Sequence, residues 1–196
     1  MRIVLSSFNQ NKFLEIAHVG IDFNIEIISP KDIQSTLGLS EFKETNEIGK
    51  TYQENAMLKA KDCSKWCGLT SLGDDSGLEV DALNGAPGLY SKRYGNSDSE
   101  RIEKLLRELH GKAGRERSCR FRSVLAIHDP LTDNITFSEG ILEGEVLLEP
   151  RGTRGFGYDP IILIYELGCT LAEIDESTLF EKGFRAKAAK ILFNNI

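Results

Sequence analysis

The stretch "TSLGDDSGLEVDALNGAPGLYSKRYG", residues 70–95, sets two carboxylates, Asp74 and Asp75, side by side just after a short apolar run that reads as the end of a strand. Adjacent ionised carboxylates repel, and each raises the other's pKa unless water, a donor or a cation screens it. Ser76 and Gly77 give the pair the character of a tight polar turn. Two readings stay open on these residues alone. In one, an aspartate caps the turn and its neighbour faces solvent. In the other, Glu47, Asp74 and Asp75 hold a hard divalent cation such as Mg²⁺, which takes a few carboxylate oxygens plus water and phosphate oxygens.

Upstream, strand and helix alternate. "MRIVLSSFNQNKFLEIAHVG" opens with a β-prone run, passes a polar turn and continues with Phe13, Ile16 and Ala17 at helical spacing up to Gly20. "IEII" at 25–28 predicts a second short strand, and residues 30–50 read mostly as loop. Thr51 and Glu54 have the spacing of a capping box, which assigns Glu54 to a helix start rather than to a metal. Ala56, Ala60, Cys63 and Cys67 then line one helical face as small packing residues, a pattern that argues against zinc at the two cysteines.

Downstream, Ser97 and Glu100 form a second capping box ahead of an apolar stripe at Ile102, Leu105, Leu106 and Leu109. "CRFRSVLAI", "ITFSEG" and "ILEGEVLLEP" predict antiparallel β neighbours between Cys119 and Leu148. A Gly-rich loop, "PRGTRGFGYDP", leads to the strand "IILI", and a last helix carries Phe184, Ala188, Ile191 and Leu192. With no repeat or linker, residues 1–196 read as one α/β domain, and two lobes, if present, share one sheet.

The balance of charges narrows the partners. A formal charge of −6 disfavours a nucleic-acid polymer, which needs surplus Lys and Arg to release counterions. A small anion held by a few cations and a metal fits the composition. No apolar run is of membrane-spanning length, no secretory signal is seen, and the reducing cytoplasm is the default location. His18, His110 and His128 lie outside every motif and read as surface or structural residues.

Three segments carry candidate chemistry. In "SSFNQNK" a strand-to-helix turn presents backbone N–H groups and the helix dipole, so Ser7, Asn9 and Lys12 suit phosphate oxygens, or simply cap a solvated helix. The acidic set is the second. In "GFGYDP", Phe156 and Tyr158 offer faces to a planar ligand, Gly157 allows close approach, and Asp159 offers an acceptor; the competing reading is a turn whose aromatics complete the core.

Taken in order, "SSFNQNKFLEI", "EIGKTYQENAMLKA", "DDSGLEVDALNGAPGLYSKRY", "GILEGEV", "RGTRGFGYDP" and "TLAEI" resemble the inosine triphosphate pyrophosphatase (Ham1-like) family over nearly the whole chain. The resemblance implies an α/β fold with a long mixed sheet flanked by helices, two lobes with an active-site cleft between them, and a homodimer. It implies Mg²⁺-dependent cleavage of non-standard purine nucleoside triphosphates (ITP, dITP, XTP) between the α and β phosphates. By the same resemblance, Ser7, Asn9 and Lys12 hold phosphates, and Glu47, Asp74 and Asp75 place the metal. Asp75 also activates water, with Lys12 as its catalytic partner. Ser76 touches substrate, Arg93 is a phosphate candidate, and Phe156, Gly157, Tyr158 and Asp159 surround the base.

The last block departs from the family. A lysine and then Ser-His-Arg are expected there; in an ungapped register Leu179 takes the lysine position, and Gly183, Phe184 and Arg185 take the others. Lys182 supplies the lysine only if the register shifts, and Arg185 alone survives of the triplet. Loss of the donors predicts weaker selection among purines, since sites that read a substrate by hydrogen bonds discriminate better than apolar ones. Phe8 and Asn11 stand where the family favours glycine. The alternatives are the same chemistry with relaxed base specificity, or a catalytically weak nucleotide-binding protein.

Overall fold

Seven strands form one mixed sheet in the order β2-β1-β3-β4-β5-β6-β7 in the computed structural model, which describes residues 1–196. They are β1 (Arg2–Leu5), β2 (Glu26–Ile28), β3 (Ser71–Val80), β4 (Ser118–Asp129), β5 (Asn134–Val146), β6 (Ile162–Ile164) and β7 (Cys169–Thr170). β1 runs parallel to β2 and β3, whereas β6 is antiparallel to β5 and β7. Six helices complete the α/β architecture: α1 (Gln10–Asp22), α2 (Pro30–Leu37), α3 (Tyr52–Cys67), α4 (Asp98–Glu108), α5 (Glu176–Lys182) and α6 (Phe184–Phe193).

The chain divides into two compact units. The first comprises Met1–Asp75, Ser123–Gly140 and Phe180–Ile196, the second Ser76–Arg122 and Ile141–Leu179. In the first, Leu5, Ile16, Leu72, Leu125, Ala189 and Leu192 share a core under α1 and α6. On α3, Ala56 and Ala60 pack with Val124 and Ala126, while Cys63 and Cys67 pack with Val4, Ile33 and Phe42. Cys63, Cys67 and Cys119 are buried as free thiols, and Cys169 is a half-buried one. In the second unit, the buried Arg117 guanidinium donates to the carbonyls of Leu109, Val146 and Leu147.

One glycine fixes how α3 meets the sheet. A Cβ at Gly73 would lie 2.1 Å from the carbonyl oxygen of Ala56, so only glycine lets strand and helix touch backbone to backbone. That contact sets the next residues of β3 against Asn55 and Lys59.

Several expectations need correction. Residues 30–37 are helix α2 rather than loop: Ser29 caps it, Pro30 sits in its first turn and Gly38, at φ 64°, ends it. Its eight residues bury only Pro30 and Ile33, too few for a periodic signal. "ITFSEG" and "ILEGEV" are one strand, β5, not two. Both capping boxes are half-formed: the hydroxyls of Thr51 and Ser97 accept from Glu54 and Glu100, but those glutamates reach the N–H groups of Lys50 and Asn96, one residue earlier than expected.

Candidate active site

β3 runs straight through Asp74 and Asp75, so the expected "DDSG" turn does not form. Successive side chains of a strand leave on opposite faces. The two carboxylates therefore avoid each other by geometry, and each meets its own cations and donors.

Asp74 is 2 % exposed. Its Oδ2 accepts from Lys12 Nζ at 2.8 Å and Arg185 Nε at 3.2 Å, and its Oδ1 from Ser123 Oγ at 2.7 Å. Arg185 Nη1 continues to Glu15 Oε1 at 2.7 Å, giving a buried chain Lys12, Asp74, Arg185, Glu15 of two cations and two anions. Burial pushes the Asp74 carboxyl up, but the Lys12 ammonium and Arg185 guanidinium outweigh it and hold it well below the usual carboxylate range. Burial lowers the Lys12 ammonium despite Asp74, and raises Glu15 despite Arg185.

Asp75 faces α3. Its Oδ1 meets Lys59 Nζ at 3.0 Å and its Oδ2 accepts from Asn55 Nδ2 at 3.0 Å. Lys59 Nζ also lies 2.7 Å from Glu47 Oε1 and donates to the Asp74 carbonyl oxygen at 2.9 Å. Glu47 belongs to an irregular strap, residues 39–49, between α2 and α3. Asn55 Oδ1 fastens that strap by accepting the N–H of Gly49 at 2.8 Å, and Trp66 Nε1 donates to Ser40 O at 2.9 Å. Burial raises the Asp75 carboxyl above its ordinary value against the pull of Lys59 and Asn55. The sequence suggested Asp74 as the source of such a rise, but burial is the principal one. Lys59 is raised because Asp75 and Glu47 outweigh its burial.

The turn between β1 and α1 is built from its own polar groups. Asn9 caps α1, its Oδ1 accepting from Asn11 and Lys12, and Ser7 Oγ accepts the N–H of Asn9. Lys12 joins Asp74 from the first turn of α1. Lys182 is exposed at the end of α5, whereas Arg185 is 3 % exposed and bound to carboxylates. Phe184 is buried beneath the Arg185 guanidinium, 4.5 Å from its centre to the ring centroid.

In the second unit, Tyr158 is buried and its hydroxyl donates to Ser91 O at 3.1 Å, which favours the core reading for that ring. Asp159 Oδ2 accepts the N–H of Phe156 at 2.9 Å and closes the turn. Gly155, at φ 75°, has that carboxylate where a Cβ would stand. Phe156 and Ser76 are half-buried, and Arg93 is exposed against the ring of Tyr90.

Lys59, Asn55, Glu15 and Ser123 are the site members the sequence reading missed. A signal existed for the first two: Asn55 and Lys59 are four apart and flank the small stripe at Ala56 and Ala60, so they share the buried side of α3. No three carboxylate, histidine or cysteine groups are gathered as a metal cluster. Glu47 and Asp75, both drawn to one ammonium, fit a hard cation that takes few protein oxygens. The oxygens of Asp74 instead face Lys12, Arg185 and Ser123.

The fold and these charges define an α/β protein that holds a cationic pair and a carboxylate pair on opposite faces of one strand. The chain belongs to the Ham1 family, whose sequence profile it matches over residues 3–195. It is 41% identical over 196 residues to a dITP/XTP pyrophosphatase of Vibrio parahaemolyticus, covering 98% of this chain and 94% of the relative. A dITP/XTP pyrophosphatase of Bacillus licheniformis is 43% identical over 164 residues, 82% of this chain and 83% of the relative. The structure of a HAM1 protein from Coxiella burnetii superposes with TM-score 0.85 at 36% identity, covering 100% of this chain and 98% of that one.

Proposed function

We propose that this protein is a divalent-cation-dependent nucleoside triphosphate pyrophosphohydrolase that cleaves non-standard purine nucleotides such as dITP and XTP to the monophosphate and pyrophosphate. The observation that carries the reading is the separation of Asp74 from Asp75 by the strand. Asp74 presents Lys12, a cation for phosphate oxygens, while Asp75 stands with Glu47 and Lys59.

Glu47 and Asp75 would hold the ion, with Mg²⁺ the cation their oxygens suit; when bound it neutralises phosphate charge and polarises the attacked phosphorus. Asp75 takes the proton of the attacking water, a task helped by a carboxyl raised above its ordinary value. Lys12 stabilises charge on the departing pyrophosphate, with Ser7 and Asn9 at the same turn. Asp74 and Glu15 act through Lys12 and Arg185 as positioning residues. Ser76, Arg93 and Lys182 contact substrate, and Phe156, Gly157 and Asp159 form the surroundings of the base, with Tyr158 anchoring their loop through Ser91. No helix is long and apolar enough to cross a membrane. A homodimer in the cytoplasm accords with the family resemblance.

Product analysis tests the reading. Incubation of dITP with Mg²⁺ should yield dIMP and pyrophosphate in equal amounts, and Asp75→Asn should abolish both. Orthophosphate as the primary product would reject cleavage between the α and β phosphorus atoms.

A further inference from the structure

Asp98 opens helix α4 and uses both carboxylate oxygens. Its Oδ2 accepts the backbone N–H of Gly157 at 2.8 Å, and its Oδ1 meets Arg101 Nη2. Arg101 Nη1 in turn donates to Lys92 O at 2.9 Å and Gly95 O at 3.1 Å. One ion pair on the first turn of α4 thus ties two segments of the second unit: the glycine loop that carries Phe156 and Asp159, and the turn that carries Arg93.

We propose that Asp98 is a positioning residue for base recognition, fixing the Gly155–Asp159 loop through Gly157 and the Lys92–Gly95 turn through Arg101. The proposal rests on the pyrophosphohydrolase reading above. Gly157 sits at φ 63° and has no side chain to hold it, so the Asp98 acceptor fixes the middle of a loop whose far end Tyr158 ties to Ser91. A backbone N–H bonded to a carboxylate is among the stronger neutral-to-charged hydrogen bonds, and its loss is felt by the ligand the loop holds. Both partners of Asp98, Gly157 and Arg101, lie in the second unit, and Gly157 belongs to the loop assigned to the base, so the loss of Asp98 falls more on the base than on the triphosphate.

The experiment compares wild type, Asp98→Ala and Asp98→Asn in the full chain. For Asp98→Ala the KM for dITP should rise about tenfold with kcat within about twofold, the split expected when binding contacts rather than transition-state contacts are lost. Inhibition by inorganic tripolyphosphate, which has no base, should weaken less than the binding of dITP. Asp98→Asn offers one carbonyl oxygen to two donors and should recover part of the loss, with KM raised about threefold. If Asp98→Ala does not fold by thermal melting, Asp98→Asn alone carries the comparison. An unchanged KM for dITP, or an equal weakening of tripolyphosphate and dITP, overturns the proposal. A wild-type protein that releases no pyrophosphate from dITP overturns the functional reading instead, and with it the basis of this one.

Discussion

Lys12 Nζ and Asp74 Oδ2 lie 2.8 Å apart, and the same oxygen accepts Arg185 Nε. A single buried oxygen therefore spaces two cations. Asp74→Asn keeps the size but removes the charge, and breaking a buried pair in this way costs about 3–5 kcal/mol. We expect a lower melting temperature, and a larger stabilisation by pyrophosphate than in wild type, because the bound anion replaces the missing charge. Thermal melts with and without pyrophosphate check this; equal stabilisation in both proteins counts against it.

Acid should reveal the same carboxylate. Burial raises Asp74, but Lys12 and Arg185 override it, so its folded pKa lies below the unfolded one. The unfolded chain then binds the proton first. The stabilisation is complete above about pH 4 and is lost as pH falls through the folded value. Urea midpoints should decline less steeply below about pH 4 in Asp74→Asn than in wild type.

Lys59 holds Glu47 and Asp75 together. Lys59→Met leaves two carboxylates facing each other without their cation, and turnover should fall by about two orders of magnitude, the scale of losing one electrostatic contact in an active site. Trp66, the chain's single tryptophan, donates to Ser40 in the strap that bears Glu47, so its emission should shift in this variant if the strap loosens. Unchanged emission with unchanged turnover would remove Lys59 from the site.

In the ungapped register of the family resemblance, Gly183 and Phe184 take the positions of Ser-His. Gly183 is the N-cap of α6 and supplies no side-chain hydrogen bond, so Gly183→Ser should stabilise the helix by a few tenths of a kcal/mol, about 0.3. Phe184 is buried under Arg185. The double change Gly183→Ser with Phe184→His should sharpen the preference for dITP over dGTP about tenfold in kcat/KM, since it restores a donor. An unchanged ratio shows that these positions do not read the base.

Gly73→Ala tests the backbone contact of β3 with α3. The added methyl would stand 2.1 Å from Ala56 O, and such overpacking costs about 1–3 kcal/mol. Because Asn55 and Lys59 ride on the displaced helix, activity should fall at temperatures where the variant is still folded. Circular dichroism alongside the pyrophosphate assay separates the two effects.

The strand and helix succession was legible because its signals are local: β-prone runs, periodic stripes and the hydroxyl caps at Thr51 and Ser97. Helix α2 escaped notice because its cues were terminal only, Ser29, Pro30 and Gly38, with almost no apolar stripe between them. Lys12, Glu47 and Asp75 were legible as charged residues in suspicious places. What sequence could not supply was partnership. The link from Asp74 to Arg185 spans 111 positions, and nothing local in the sequence joins Asn55 and Lys59 to Asp75, which meet only because Gly73 lets α3 lie against β3. The polar turn read into "DDSG" failed because Gly77 lies in a pairing strand, where neighbouring contacts override turn propensity.

The extended backbone at Asp74 and Asp75 also limits how this segment can vary. Inserting or deleting one amino acid between Ser71 and Asp74 would swap the outlook of both acids at a stroke, delivering each to the other's companions. Changes in length there are therefore tolerated only in pairs, whereas in the strap at 39–49, free of any ladder, a single-step change reverses no facing and is limited only by the ties at Ser40 and Gly49 and the reach of Glu47 to Lys59.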